Sequence, residues 1–103
     1  MRTNIVGKTV EGKFVFGGVF KLVDTYGLLL DMILEEFKQK GCVISWKDFY
    51  QDAKKAGWRK DIIIKKVRMD STDSDLNERV VKYFEKQPED ERDKKIKSNI
   101  FNV

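Results

Sequence analysis

Residues 56–67, AGWRKDIIIKKV, decide how this chain folds. They follow WKDFYQDAKKA (46–56), in which Trp46, Phe49, Tyr50, Ala53 and Ala56 recur at helical spacing. Gly57 stops that helix, because only glycine enters the left-handed region without steric cost. A second helix of roughly nine residues is expected to restart near Arg59. It carries Ile62, Ile63 and Ile64, which at 100° per residue span about 200° of a helix and cannot share one narrow buried face. With Ile63 and Val67 turned inward, Ile62 or Ile64 is left at an edge or exposed.

Upstream, LLLDMILEEFKQK (28–40) reads as a helix whose stripe includes Tyr26, Leu30, Ile33, Leu34 and Phe37, with Gly41 as its left-handed stop. Ser45 is placed to cap the helix that begins at Trp46, with Asp48 three residues on. The N-terminal NIVGKTVEGKFVFGG reads as two short strands, Val10, Phe14 and Phe16 alternating around a turn at Glu11-Gly12. Such a hairpin is marginal by itself and must lean on the helices. GVFKLVDTY (18–26) is ambiguous between a short helix carrying Phe20 and Val23 and a third strand. Downstream, STDSDLNERVVKYFEKQ (71–87) is a helix capped within 71–74, its stripe Leu76, Val80 and Phe84. Pro88 ends that helix or opens a last short piece. The pattern predicts a single α+β domain, mostly helical: a hairpin (1–18) on a compact bundle of four to five helices (19–87), with a charged, partly mobile tail (88–103).

The composition agrees with a folded domain. Apolar residues make up 41% and aromatic residues 12% of the 103 positions, too many for a disordered chain. The longest apolar runs, GLLLDMIL and FVFGGVF, fall short of the roughly 18–20 residues a bilayer requires. MRTNIVGKTVEGK has no apolar core and no cleavage-type site, so no secretion signal and no membrane association are expected. One cysteine, Cys42, makes no internal disulfide, and a reducing, cytoplasmic setting is the expectation. Beside Val43 and Ile44, Cys42 reads as a small core residue.

No histidine is present. That excludes the Ser–His and Cys–His nucleophile arrangements within the chain and, with one cysteine, makes a structural zinc site unsupportable. The acidic DSTDSD (70–75) lacks the glycine and distal glutamate of a calcium loop, and FGGVF lacks the lysine and spacing of a phosphate loop. No catalytic residue, metal or cofactor is assigned, and the chain reads as a non-enzyme.

Charge is concentrated instead. From Lys47 to Arg68 eight basic residues stand against three acidic ones, a net +5 in a chain whose total is +4. A local field of that sign attracts phosphates. DAKKAGWRKDIIIKKV (52–67) resembles the helix-turn-helix of repressor-type DNA-binding domains. Ala53, Ala56, Gly57, Trp58 and Ile63 fall on the small-residue, turn and anchor positions of that motif. Trp58 stands where Val, Ile or Leu is usual, Arg59 where Ser or Thr caps the second helix, and Val67 is one place later than the motif's last anchor. The resemblance implies a DNA-binding regulator whose second helix enters the major groove of double-stranded DNA. Arg59, Lys60, Lys65 and Arg68 would read bases or hold phosphates, with Lys54 and Lys55 on phosphates. A homodimer is expected to help, since one short helix reads few base pairs.

Two other readings stand beside it. Lysines on the outside of a helical core can be no more than a solvated face. Alternatively, Ile62 and Ile64 beside that charge can anchor an acidic partner protein, as in the small masking modules or inhibitors typical of phages and mobile elements.

Overall fold

A computed structural model of the protein describes residues 3–91 and residue 93. The chain begins with β1 (Asn4–Lys8) and β2 (Phe14–Gly17), an antiparallel pair with an irregularity between Ile5 and Gly7. Gly12, at φ 88°, makes the turn between them, its N–H donating to the Thr9 carbonyl at 2.9 Å. Val10 lies at this turn, fully exposed, and not on a strand face as its alternation had suggested. A third strand, β3 (Val43–Ile44), pairs parallel to the inner edge of β2, Val15 opposite Val43 and Phe16 opposite Ile44. Two residues are too few to show a period in sequence, which is why this strand was missed. The segment suspected of being that strand is a helix, α1 (Val19–Asp24), with Phe20 and Val23 buried as the helical alternative required.

Then come α2 (Leu30–Lys40), α3 (Trp46–Lys55), α4 (Lys60–Asp70) and α5 (Ser74–Glu85), completing an α+β fold of a three-stranded sheet against five helices among the described residues. Helix α2 ends as the glycine predicted, Gly41 at φ 68°, with the Cys42 N–H reaching the Phe37 carbonyl at 2.8 Å. Tyr26 does not join the stripe of α2. It lies between α1 and the positive-φ Gly27, outside either helix, and is 54% exposed. Cys42 is half-buried with its thiol 3.6 Å from the Lys40 carbonyl, so it borders the core without belonging to it.

The core is built where five helical faces converge. Val19, Phe20, Leu22 and Val23 of α1 meet Leu30 and Ile33 of α2, Phe49, Tyr50 and Ala53 of α3, Ile63 and Val67 of α4, and Val80 and Phe84 of α5. Aromatic rings interlock through its middle: Phe49 stacks on Phe84 at 6.3 Å between centroids, and Phe20 meets Trp58 edge-on at 4.9 Å. Edge-on and offset geometries are those the ring quadrupole favours. The hairpin leans on this body through β2, where Phe16 packs on Phe37 at 5.4 Å, whereas all of β1 is exposed. No helix among the described residues is long and apolar enough to cross a membrane.

Candidate nucleic-acid interface: the corner between α3 and α4

Helix α3 starts as its sequence dictates, the Ser45 hydroxyl accepting from the Asp48 N–H at 3.2 Å. Phe49, Tyr50 and Ala53 turn inward, and Ala53 is fully buried. The helix ends in a double hydrogen bond. The Gly57 N–H donates to the Lys54 carbonyl and the Trp58 N–H to the Ala53 carbonyl, both at 3.0 Å. These are the two bonds of a Schellman stop, and Gly57 at φ 94° supplies the left-handed residue it requires. Trp58 then packs on Phe20 and directs the chain back toward the core. Four residues therefore separate two helices, the second pinned by Ile63 and Val67, both fully buried.

Helix α4 has no local cap, as the Arg59 at its start implied. Arg59 makes no side-chain cap bond; its half-buried side chain instead lies 3.4 Å from the exposed Asp61. The cap arrives from far along the chain. The Asp93 carboxylate accepts the Lys60 N–H at 2.7 Å and is itself 7% exposed. It also accepts from the Lys54 ammonium at 3.1–3.2 Å, and the Asp90 carboxylate meets the same ammonium at 2.7 Å. Asp90 and Asp93 brace one another through reciprocal backbone N–H to carboxylate bonds, at 3.1 and 3.2 Å. Burial alone would raise the Asp93 carboxyl, but the Lys60 N–H, the Lys54 ammonium and the Asp90 N–H outweigh it and hold it below the ordinary aspartate range. Beside this cluster Tyr50 is pushed up to about 12, by burial first and then by the carboxylates of Asp93, Asp90 and Glu89.

The basic residues assigned to phosphates thus separate into two groups. Lys54 is not available as it stands: its side chain is 15% exposed and paired with two carboxylates. Lys60 is also committed, its ammonium donating to the Glu85 and Gln87 carbonyls at the end of α5. A cation there complements the carbonyl end of a helix. Lys55, Lys65 and Arg68 are exposed and have no ion pair among the described residues, as does Lys47. Arg59 stays near them at the mouth of the corner. Ile62 is half-buried on the flank of α4, and Ile64 packs partly on the core.

Sequence reasoning missed two features. Ile64, Lys65, Arg68 and Met69 of α4 border a shallow groove of about 390 Å³, with Val81 and Glu85 of α5 on its other side. Met69 there is 71% exposed. The second is the acid pair Asp90–Asp93, within the stretch expected to be charged and partly mobile, whose carboxylates are hydrogen-bonded and ion-paired at the corner. Residues 92 and 94–103 of that tail lie outside the described residues. A signal did exist: a helix start with no cap, in a chain with an acidic run downstream. No cluster of three or more metal-binding side chains occurs among the described residues. No protein family, curated protein or solved structure matches this chain.

Proposed function

We propose that this protein is a small DNA-binding regulator that lays the outer face of α4 in the major groove. The observation that carries the reading is the corner itself. Two helices joined by a four-residue Schellman turn are anchored through Ala53 and Ile63, leaving Lys65 and Arg68 outward and unpaired. In that arrangement Lys65 and Arg68 meet base edges or the phosphates flanking them, Lys55 and Arg59 take the backbone, and Ile62 lies near enough to the outer face to touch a thymine methyl. With Lys54 and Lys60 committed internally, roughly three to five phosphate contacts remain, which implies a log–log salt slope of about −2.7 to −4.5. A homodimer would present two such helices to adjacent half-sites.

Gel retardation with a pool of random duplexes at about 50 and 200 mM salt tests this. Retardation that weakens with that slope, and that Lys65→Ala and Arg68→Ala each reduce, supports the reading. Absence of retardation at the lower salt with micromolar protein overturns it.

A masking module for an acidic partner protein is the second reading. Met69 favours it: a methionine 71% exposed over the α4–α5 groove, whose rim carries Lys65 and Arg68 with Asp61 and Glu85, suits an apolar anchor within a charged rim. Met69→Glu would then abolish partner capture while leaving duplex binding at a level explained by charge alone.

A further inference from the structure

A helix N-terminus holds an anion by offering first-turn N–H groups, and a flanking ammonium strengthens the grip. At the start of α4 both components exist, and both are already filled. The Asp93 carboxylate takes the Lys60 N–H at 2.7 Å, while Lys54 lies 2.7 Å from Asp90 and 3.1 Å from Asp93. The occupant is thus a pair of carboxylates delivered by the chain, presenting oxygens where a phosphate would present its own. The link that delivers them is short. Lys60 fastens the end of α5 by its ammonium, and two residues, Pro88 and Glu89, separate Gln87 from Asp90.

We propose that Asp90 and Asp93 are an internal phosphate mimic, an autoinhibitory contact that withholds Lys54 and the first turn of α4 from DNA. The inference rests on the DNA-binding reading above. A DNA phosphate and the Asp90–Asp93 pair are exchangeable in charge, so the tethered pair competes at the high effective concentration of a linked ligand. Two details set this contact apart from a permanent brace. Asp90 is 40% exposed, so its half of the clamp is open to solvent and to a competing anion. Tyr50, 6% exposed and beside the carboxylates, keeps a hydroxyl with no hydrogen-bond partner among the described residues. The Asp90–Asp93 pair thus meets Lys54 through charge as well as hydrogen bonds, and charge is what a polyanion contests.

The test compares wild-type protein with Asp90→Asn and with the Asp90→Asn/Asp93→Asn double variant. Asparagine keeps the oxygen that caps Lys60 and removes the negative charge. Anisotropy of a labelled random-sequence duplex is followed from about 50 to 200 mM salt. The double variant is expected to bind roughly five-fold tighter at the low end, with a salt slope steeper by about one unit. Adding Lys54→Ala should cancel both gains. Equal affinity and slope in wild-type and double variant overturn the proposal, as does a gain that survives Lys54→Ala, which would reflect net charge alone. Should circular dichroism show the double variant unfolded, Asp90→Asn decides alone: a partial gain supports the latch and none overturns it. If wild-type and variants all fail to bind the duplex, the DNA-binding reading falls and the latch with it. Wild-type binding without a gain removes only the latch.

Discussion

At Gly57 the backbone runs at φ 94°, and every bond of the corner depends on that one angle. A β-branched residue enters this region only under strain, so Gly57→Val should destabilise the fold by about 2 kcal/mol in a urea titration. A smaller loss than from Gly57→Ala would contradict this account of the turn. Phe49, 1% exposed between Phe20, Trp46 and Phe84, is the central ring; Phe49→Ala should cost about 3–5 kcal/mol by the same measurement. Titration adds two pH limits. The Asp93 carboxyl lies below its unfolded value, so its contribution is complete above the ordinary aspartate range and disappears as acid protonates the folded form. Tyr50 is displaced the other way, to about 12 from 10.0. Its stabilisation is complete below about pH 10 and is lost as pH climbs through about 12. Melting temperatures across this alkaline window should fall for wild-type protein and fall less for Tyr50→Phe.

Between α3 and α4 the lysines divide by what they hold, and stability and affinity should divide with them. Lys54→Ala strips the buried Asp93 carboxylate of its ammonium and should destabilise by about 3 kcal/mol, the scale of breaking a buried pair. Lys65→Ala, exposed on α4, should leave stability within about 0.5 kcal/mol and reduce duplex affinity. A loss of stability in Lys65→Ala equal to that in Lys54→Ala would contradict the division. This is also where the sequence was legible and where it was not. The Ser45 cap, Gly41 and Gly57 stops and the Ile63–Val67 seam were readable because each is set by residues within one helical turn. The fates of Lys54 and Lys60 were not, because their partners lie 39 and 25–33 positions downstream. A basic residue looks equally free in sequence whether or not a distant carboxylate claims it. The same limit hid β3, whose two residues gain their identity only from β2.

Across the molecule, order is unevenly distributed. The core binds all five helices, whereas β1 pairs with β2, is exposed throughout and leaves Ile5 and Val6 about half exposed. Amide exchange should therefore separate the chain in two. The paired N–H groups of β1 should exchange by local opening, far faster than those of α3 and α4, which should approach the global unfolding free energy. Equal protection across both would mean that the hairpin is a full member of the cooperative unit. The sheet is thus better placed as a brace for α2 and α3 than as a second face of the site.

The long reach of Asp93 also fixes an order of events when the chain folds. Every other cap described here closes within a few residues, but the bond from the Lys60 N–H to Asp93 closes a 33-residue interval and must wait for the end of α5 to be docked. The first turn of α4 should then be secured on the native side of the folding barrier. In a chevron experiment Asp93→Ala should raise the unfolding rate roughly hundred-fold and slow folding by less than about three-fold. The first turn of α4 would then be the last part of the helical body to become rigid.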